Sequence, residues 1–117
     1  MPRLPSLLLP LARRLGLARG ILLRPTAGQR PQRPLELFSY EGCASCRRVR
    51  ATLTELDLDY LHRSCPVGAR RNRDVVAARG APVRVPYLVD PNTAVEMGEA
   101  GAIVDYLERR YGVARVD

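Results

Sequence analysis

Leu37-Phe38-Ser39-Tyr40-Glu41-Gly42-Cys43-Ala44-Ser45-Cys46-Arg47 is the stretch whose reading organises the rest of the chain. An apolar run from Leu35 to Ser39 leads into a short polar turn. Beyond it, Cys46, Val49, Leu53 and Leu56 recur at intervals of three and four, which lines one face of a helix. The pattern predicts a strand over Leu35–Ser39, a helix over Ser45–Leu56, and Cys43 exposed at or just before the helix N-terminus. That position has chemical consequences. Unpaired N–H groups and the positive end of the helix dipole favour a thiolate, and thiols so placed titrate at roughly 3.5–7.5 rather than at about 8.5. Cys43 and Cys46 lie one helical turn apart, so a mixed disulfide on the first can be attacked by the second. A redox pair is expected, with two inert buried cysteines as the plainer alternative. Arg47 and Arg48 are expected either to add positive charge beside the thiolate or, with Arg50, to form an ordinary solvated helix face.

Downstream, Asp57-Leu58-Asp59 turns the chain into a strand over Tyr60–Arg63, and Cys65-Pro66 with Gly68 breaks regular structure. An arginine-rich helix is predicted over Ala69–Arg79, closed by Gly80. Val85-Pro86 opens a strand over Tyr87–Val89. Asp90-Pro91-Asn92-Thr93 places proline and asparagine where a tight turn wants them, so Ala94–Met97 should return as a hairpin strand. The last element is a helix over Glu99–Tyr111 with Ile103, Val104, Leu107 and Tyr111 facing inward.

The chain has 117 residues, enough for one small domain and an appendage. Its formal charge of +7 is not spread evenly. Residues 1–34 hold seven arginines and no acidic residue, leaving twelve basic and twelve acidic side chains in residues 35–117. A nucleic-acid-binding domain is expected to carry its basic residues on the folded surface, often with stacking aromatics; nucleic acid is therefore not an expected partner. Residues 1–34 read as a basic, proline-rich arm and linker, with a candidate amphipathic helix from about Pro10 to Leu23. Such an acid-free segment suits an anionic membrane surface or a partner's groove, and a frayed terminus is the alternative. Leu7-Leu8-Leu9 is too short to span a bilayer, and six of the arm's seven arginines follow it, unlike a secretory signal. Three cysteines make neither an even count nor a dense framework, which points to a reducing, cytoplasmic setting, peripheral at a membrane if the arm docks there.

The order β-α-β-α-β-β-α, with the cysteine pair after the first strand, is the minimal thioredoxin-like topology on a four-stranded mixed sheet. Leu35–Gly112 resembles a glutaredoxin, and more closely the N-terminal domain of glutathione S-transferases. The resemblance rests on three segments in the same order: Leu37–Arg47, Val85-Pro86-Tyr87-Leu88, and Met97-Gly98-Glu99-Ala100 through Tyr106-Leu107. It covers residues 35–117 as the folded domain and leaves 1–34 as the arm.

The resemblance implies glutathione as co-substrate, with no metal, and catalysis by Cys43 and Cys46. It implies a cis bond before Pro86, and a Val85 main chain that pairs with a glutathione or peptide backbone as a short added strand. It also implies that Glu99 and Ala100, at the start of the last helix, bind the γ-glutamyl carboxylate. Ala100 stands where the family usually has a serine hydroxyl, and Tyr40 where glutaredoxins commonly have a lysine for the glycine carboxylate. Tyr40 and Arg47 join the glutathione-binding candidates, and Cys65 is a third thiol that could serve the site or lie inert. Cys43, Cys46, His62 and Cys65 also have the spacing of a zinc set, and a metal cluster shared between two subunits is a further family possibility. The expected function is glutathione-linked thiol–disulfide exchange. The alternative is a non-catalytic glutathione-binding or adaptor module docked to a membrane or partner through its arm; a transferase is expected to need the family's second, helical domain from another chain.

Overall fold

A computed structural model describes residues 19–26 and 30–113. Seven elements follow in order: β1 (Leu35–Ser39), α1 (Ala44–Glu55), β2 (Tyr60–Ser64), α2 (Arg71–Ala78), β3 (Tyr87–Asp90), β4 (Val95–Gly98) and α3 (Ala100–Tyr111). The sheet order is β2-β1-β3-β4, with β1 parallel to β2 and the other two pairings antiparallel. This is the thioredoxin-like fold. The helix expected from about Pro10 to Leu23 lies mostly outside the described residues; of its span, Arg19–Ile21 form a turn.

Alternation along the strands divides the core into two layers. Leu35, Leu37 and Leu88 point to one face, where Val49, Leu53 and Leu56 of α1 and Ile103, Leu107 and Tyr111 of α3 cover them. Phe38, Tyr87 and Val89 point to the other, against Val76 of α2 and Cys65. Each helix boundary has a local cause. α1 ends in a Schellman motif: the Leu58 N–H reaches the Leu53 carbonyl at 2.9 Å and the Asp57 N–H reaches that of Thr54 at 3.0 Å. Asp57 takes the left-handed conformation that the motif requires, at φ +54°. α2 is shorter than the sequence predicts. Ala69 is held in a turn by its N–H to the Pro66 carbonyl (3.1 Å), and the Asn72 amide binds the Ser64 carbonyl (2.8 Å), so the helix starts only at Arg71. β4 likewise starts one residue late, because Ala94 sits at φ +58° in the turn.

Residues of the arm and linker touch the domain directly. Gly20 lies against Ala51 of α1, where an added Cβ would come within 3.2 Å of the alanine's own. The Arg24 guanidinium bridges Glu55 of α1 and Glu108 of α3, at 3.4 and 2.7 Å. Thr26 forms a β-bridge with Gly112, and the Arg33 N–H and C=O pair with the Asn92 side chain, both at 2.9 Å.

At the far end of β3, Asp90 is fully buried and accepts hydrogen bonds from the hydroxyls of Tyr106 and Tyr111, each at 2.6 Å, and from Asn92. Burial alone would raise this carboxyl, but the four donors outweigh it and hold it below its usual range. The tyrosines respond in the opposite sense. Burial and the adjacent carboxylate push Tyr106 up to about 12.

Candidate active site

The register brings four segments to one end of the sheet. Ser39 is opposite Ser64, and the Cys65 N–H donates to the Ser39 carbonyl at 2.9 Å. Phe38 faces Tyr87, and Tyr87 faces Gly98. The entry to α1, the loop before α2, the Val85-Pro86 segment and the entry to α3 therefore share one pole of the domain.

Cys43 is the N-cap of α1, with extended backbone at φ −81° and ψ 116°. Its Sγ accepts the backbone N–H of Cys46 at 3.2 Å and lies 3.4 Å from the Ser45 hydroxyl. Cys43 was expected to be exposed; it is buried, with 6% of its surface accessible. Desolvation therefore opposes the thiolate, yet the hydrogen bonds from Cys46 and Ser45 prevail and leave the thiol below its ordinary value. Cys46 is fully buried on the apolar face of α1, and burial together with its neighbour Cys43 pushes it up to about 11. Both are free thiols. The pair is asymmetric, with the acidic partner at the cap and the reluctant one beneath.

Arg47 and Arg50 of α1 are engaged with the loop that precedes it. Arg47 Nε donates to the Glu41 carbonyl at 3.2 Å, and the half-buried Arg50 donates to the Tyr40 and Glu41 carbonyls at 3.4 Å each. The groups that lower Cys43 are the hydrogen-bond donors of Cys46 and Ser45. Arg50 is not a merely solvated residue. Tyr40 contributes its carbonyl, which also accepts the Cys43 N–H at 3.3 Å. Ser45 and Arg50 are the functional candidates that sequence reasoning passed over. The signal for Ser45 was its place two residues beyond a capping thiol, within a hydroxyl's reach of it.

The Val85–Pro86 peptide bond is cis. Among the described residues neither the N–H nor the C=O of Val85 has a hydrogen-bond partner.

Glu99 caps α3 from a left-handed conformation, φ +82°, and its carboxylate accepts the N–H groups of Gly101 and Ala102 at 2.9 and 2.7 Å. Those bonds, aided by the charge of Arg48, hold its carboxyl below the usual range. The helix N-terminus that the resemblance assigns to a ligand carboxylate is thus filled by the chain's own. Ala100 is buried against the α1–α3 layer.

Cys65 is buried among Phe38, Val76, Tyr87 and Val89, on the α2 side of the sheet. Desolvation raises its thiol, although Arg73 and Arg71 pull the other way. The His62 ring is engaged with the Ser39 carbonyl at 3.2 Å. Among the described residues no three His, Cys, Asp or Glu side chains converge to hold a metal, so the alternative set of Cys43, Cys46, His62 and Cys65 is not assembled.

A family model described as "Glutathione S-transferase, N-terminal domain" matches residues 37–115. The glutathione S-transferase-like protein tpcF of Aspergillus fumigatus is 39% identical over 78 residues, which is 67% of this chain and 34% of that protein. Among solved structures, the Bombyx mori glutathione transferase BmGSTD1 superposes with a TM-score of 0.62 at 22% identity, over 72% of this chain and 38% of its own. A glutathione S-transferase from the Antarctic clam Laternula elliptica gives 0.55 at 24% identity, over 68% and 36%. At these identities the structures are alike in fold. The chain spans about a third of the length of the relatives it matches.

Proposed function

The chain belongs to the glutathione S-transferase N-terminal domain family, and from that premise we propose that it is a glutathione-linked thiol–disulfide oxidoreductase. The carrying observation is the asymmetry of Cys43 and Cys46, a lowered thiol at a helix cap above a raised one.

In this reading the Cys43 thiolate attacks the glutathione sulfur of a mixed disulfide between glutathione and a protein cysteine. The substrate S–S bond breaks, a Cys43–glutathione disulfide forms, and the protein thiolate leaves and takes a proton from water. A second glutathione thiolate then attacks the bound glutathione sulfur, releasing glutathione disulfide and returning Cys43 as thiolate. The protein sulfur is reduced to a thiol, and the one incoming glutathione thiol is oxidised, joining the glutathione already carried in the mixed disulfide. Cys46 offers a parallel exit. It loses its proton as it attacks the Cys43 sulfur and expels glutathione, and the resulting Cys43–Cys46 disulfide is returned to two thiols by two glutathione molecules. At a value of about 11, roughly one Cys46 in ten thousand is ionised at neutral pH, which favours the glutathione exit. Part of that elevation comes from the Cys43 sulfur itself and is relieved once Cys43 is in a disulfide. Val85, at the same pole of the sheet as Cys43, has an open N–H and C=O suited to the backbone of glutathione or of an extended peptide.

The test is reduction of a glutathione mixed disulfide with a small thiol, followed by formation of glutathione disulfide. Turnover that is lost in Cys43→Ser supports the reading. Equal rates in the parent and in Cys43→Ser, with no reversible disulfide between Cys43 and Cys46, overturn it.

A second reading is favoured by one observation: Ile21 and Leu23 of the arm are 64% and 60% exposed although the neighbouring Arg24 is anchored. They suit an adaptor docked through its arm to a membrane. Sedimentation with phosphatidylserine vesicles, lost in Ile21→Ser/Leu23→Ser, would support it; no sedimentation of the parent chain would reject it.

A further inference from the structure

The arginines divide by position. Arg24, Arg30, Arg63, Arg79 and Arg109 are each ion-paired with a carboxylate. Arg24, Arg30 and Arg109 serve the end of the domain remote from Cys43, Arg79 lies at the far end of α2, and Arg63 pairs with Glu36 across β1 and β2. At the Cys43 pole the pattern changes. Arg47 and Arg48 in the first turn of α1, Arg70 and Arg71 at the start of α2, and Arg84 just before the cis-proline segment are all exposed, and none is ion-paired. Arg50 and Arg73 add charge from behind, held by the carbonyls of Tyr40, Glu41 and Cys65. The acidic side chains at this pole are Glu41, Asp74 and Glu99; the Glu99 carboxylate accepts the α3 N–H groups and also faces the charge of Arg48, which leaves Arg47, Arg70, Arg71 and Arg84 as the uncompensated cations.

The charge of residues 35–117 balances in sum but not in space. Close cations without counter-charges repel one another and raise the potential over the cleft they surround, which attracts an anionic partner. Two further features bear on which anion. Val67 and Val83, in the loops that carry Arg70 and Arg84, are 84% and 44% exposed, an apolar pair set among the arginines. The open main-chain pair of Val85 lies on the same rim. Apolar contacts and a strand-like hydrogen-bonding edge suit a polypeptide, whereas a nucleic acid strand would need aromatic platforms.

We propose that the arginine rim at the Cys43 pole, with Val67, Val83 and the Val85 main chain, is a docking surface for acidic polypeptide segments, so that the favoured substrates are proteins whose disulfide-bearing cysteine is flanked by Asp or Glu. The substrate class rests on the oxidoreductase reading above; the surface itself does not.

The test is therefore binding, separated from chemistry. The full chain carrying Cys43→Ser is titrated with three fluorescent peptides, identical except that an S-methylated cysteine is flanked by Glu, Gln or Lys. The Glu peptide is expected to bind about tenfold more tightly than the Gln peptide at about 20 mM salt, and the gap to close to about twofold at about 0.5 M, where the Debye length is only a few ångströms. Arg70→Glu/Arg84→Glu should reverse the preference towards the Lys peptide. Equal affinity for the three peptides at low salt in the Cys43→Ser chain overturns the proposal, whether or not the charge-reversal variant folds. A single-stranded oligonucleotide of matched charge that binds as tightly with the same salt dependence also overturns it, because the rim would then be a general anion surface. Peptides of the same three sequences, with the cysteine glutathionylated instead of methylated and given to the unmodified chain, separate the two readings. Binding preference without turnover removes the oxidoreductase reading and keeps the surface; turnover indifferent to flanking charge removes the substrate class and keeps the chemistry.

Discussion

The backbone N–H of Cys46 donates to the Sγ of Cys43 at 3.2 Å, so the main chain of the second cysteine caps the sulfur of the first. The sulfur takes the place of the capping oxygen that a serine or aspartate would supply. Removing the Cys46 side chain leaves that bond in place, because its donor is main chain.

Alkylation of Cys43 should follow a titration with its midpoint below that of an ordinary thiol. Ser45→Ala deletes one of the hydrogen bonds to the sulfur and should move the midpoint upward. It should slow alkylation at neutral pH by roughly two- to threefold, the size of a weak hydrogen bond to a charged group. Rate against pH, with modification followed by mass spectrometry, checks both.

Cys46→Ser should keep turnover through the glutathione exit while abolishing the internal disulfide. Retention of roughly half or more of the parent rate is expected, since a thiol at about 11 contributes little thiolate at neutral pH. A fall to the Cys43→Ser level would show instead that the Cys46 exit carries the flux.

The N–H groups at the start of α3 are occupied by Glu99 and Ala100 is buried, so Ala100→Ser should leave glutathione affinity unchanged within about twofold, measured calorimetrically. Glu99→Gln should weaken the cap on α3 and lower Tm, since the carboxylate now holds the N–H groups of Gly101 and Ala102.

The Asp90 cluster sets the pH limits of stability. Its carboxyl is lowered in the fold, so its contribution is present above the ordinary carboxylate value and lost as the pH falls through the lower folded one. Tyr106 is raised from 10.0 to about 12, so its share is present below about 10 and lost as the pH rises through about 12. Denaturant unfolding should therefore weaken between about pH 10 and pH 12. Asp90→Ala, which strands two buried hydroxyls, should cost about 3 kcal/mol at neutral pH.

Arg24→Ala should loosen the arm, because this one guanidinium ties α1 to α3. Its partners are partly accessible and water screens the pairing, so the cost should be about 1 kcal/mol, read as a fall of a few degrees in Tm. Amide exchange at Arg24 and Val113, whose N–H groups are bonded to Glu55 and Pro25, should quicken in parallel.

The strands, the helices and the position of Cys43 were legible because they are written in local spacing. Cys46, Val49 and Leu53 are buried as their periodicity requires, and Leu35 and Leu37 fall on one face of β1 with Phe38 on the other. Order along the chain, with the resemblance of three short segments, was enough to recover the topology. Less was legible about the site itself, where Cys43 is buried and Arg50 is tied into the loop, because neither feature follows from a residue's own neighbours in sequence.

By itself the sequence determined which residues could form each element, the presence of a thiol at a helix start, and the net charge of arm and domain. Periodicity and capping act within a few residues, so a linear reading can reach them. The tertiary structure alone decided that Asp90 meets Tyr106 and Tyr111, that Arg24 and Arg33 pin the arm, and that Glu99 fills its own helix terminus. It alone also left the exposed arginines of one pole without carboxylate partners. Ion pairs, desolvation and potential depend on distance in space, and only the register of the sheet sets those distances.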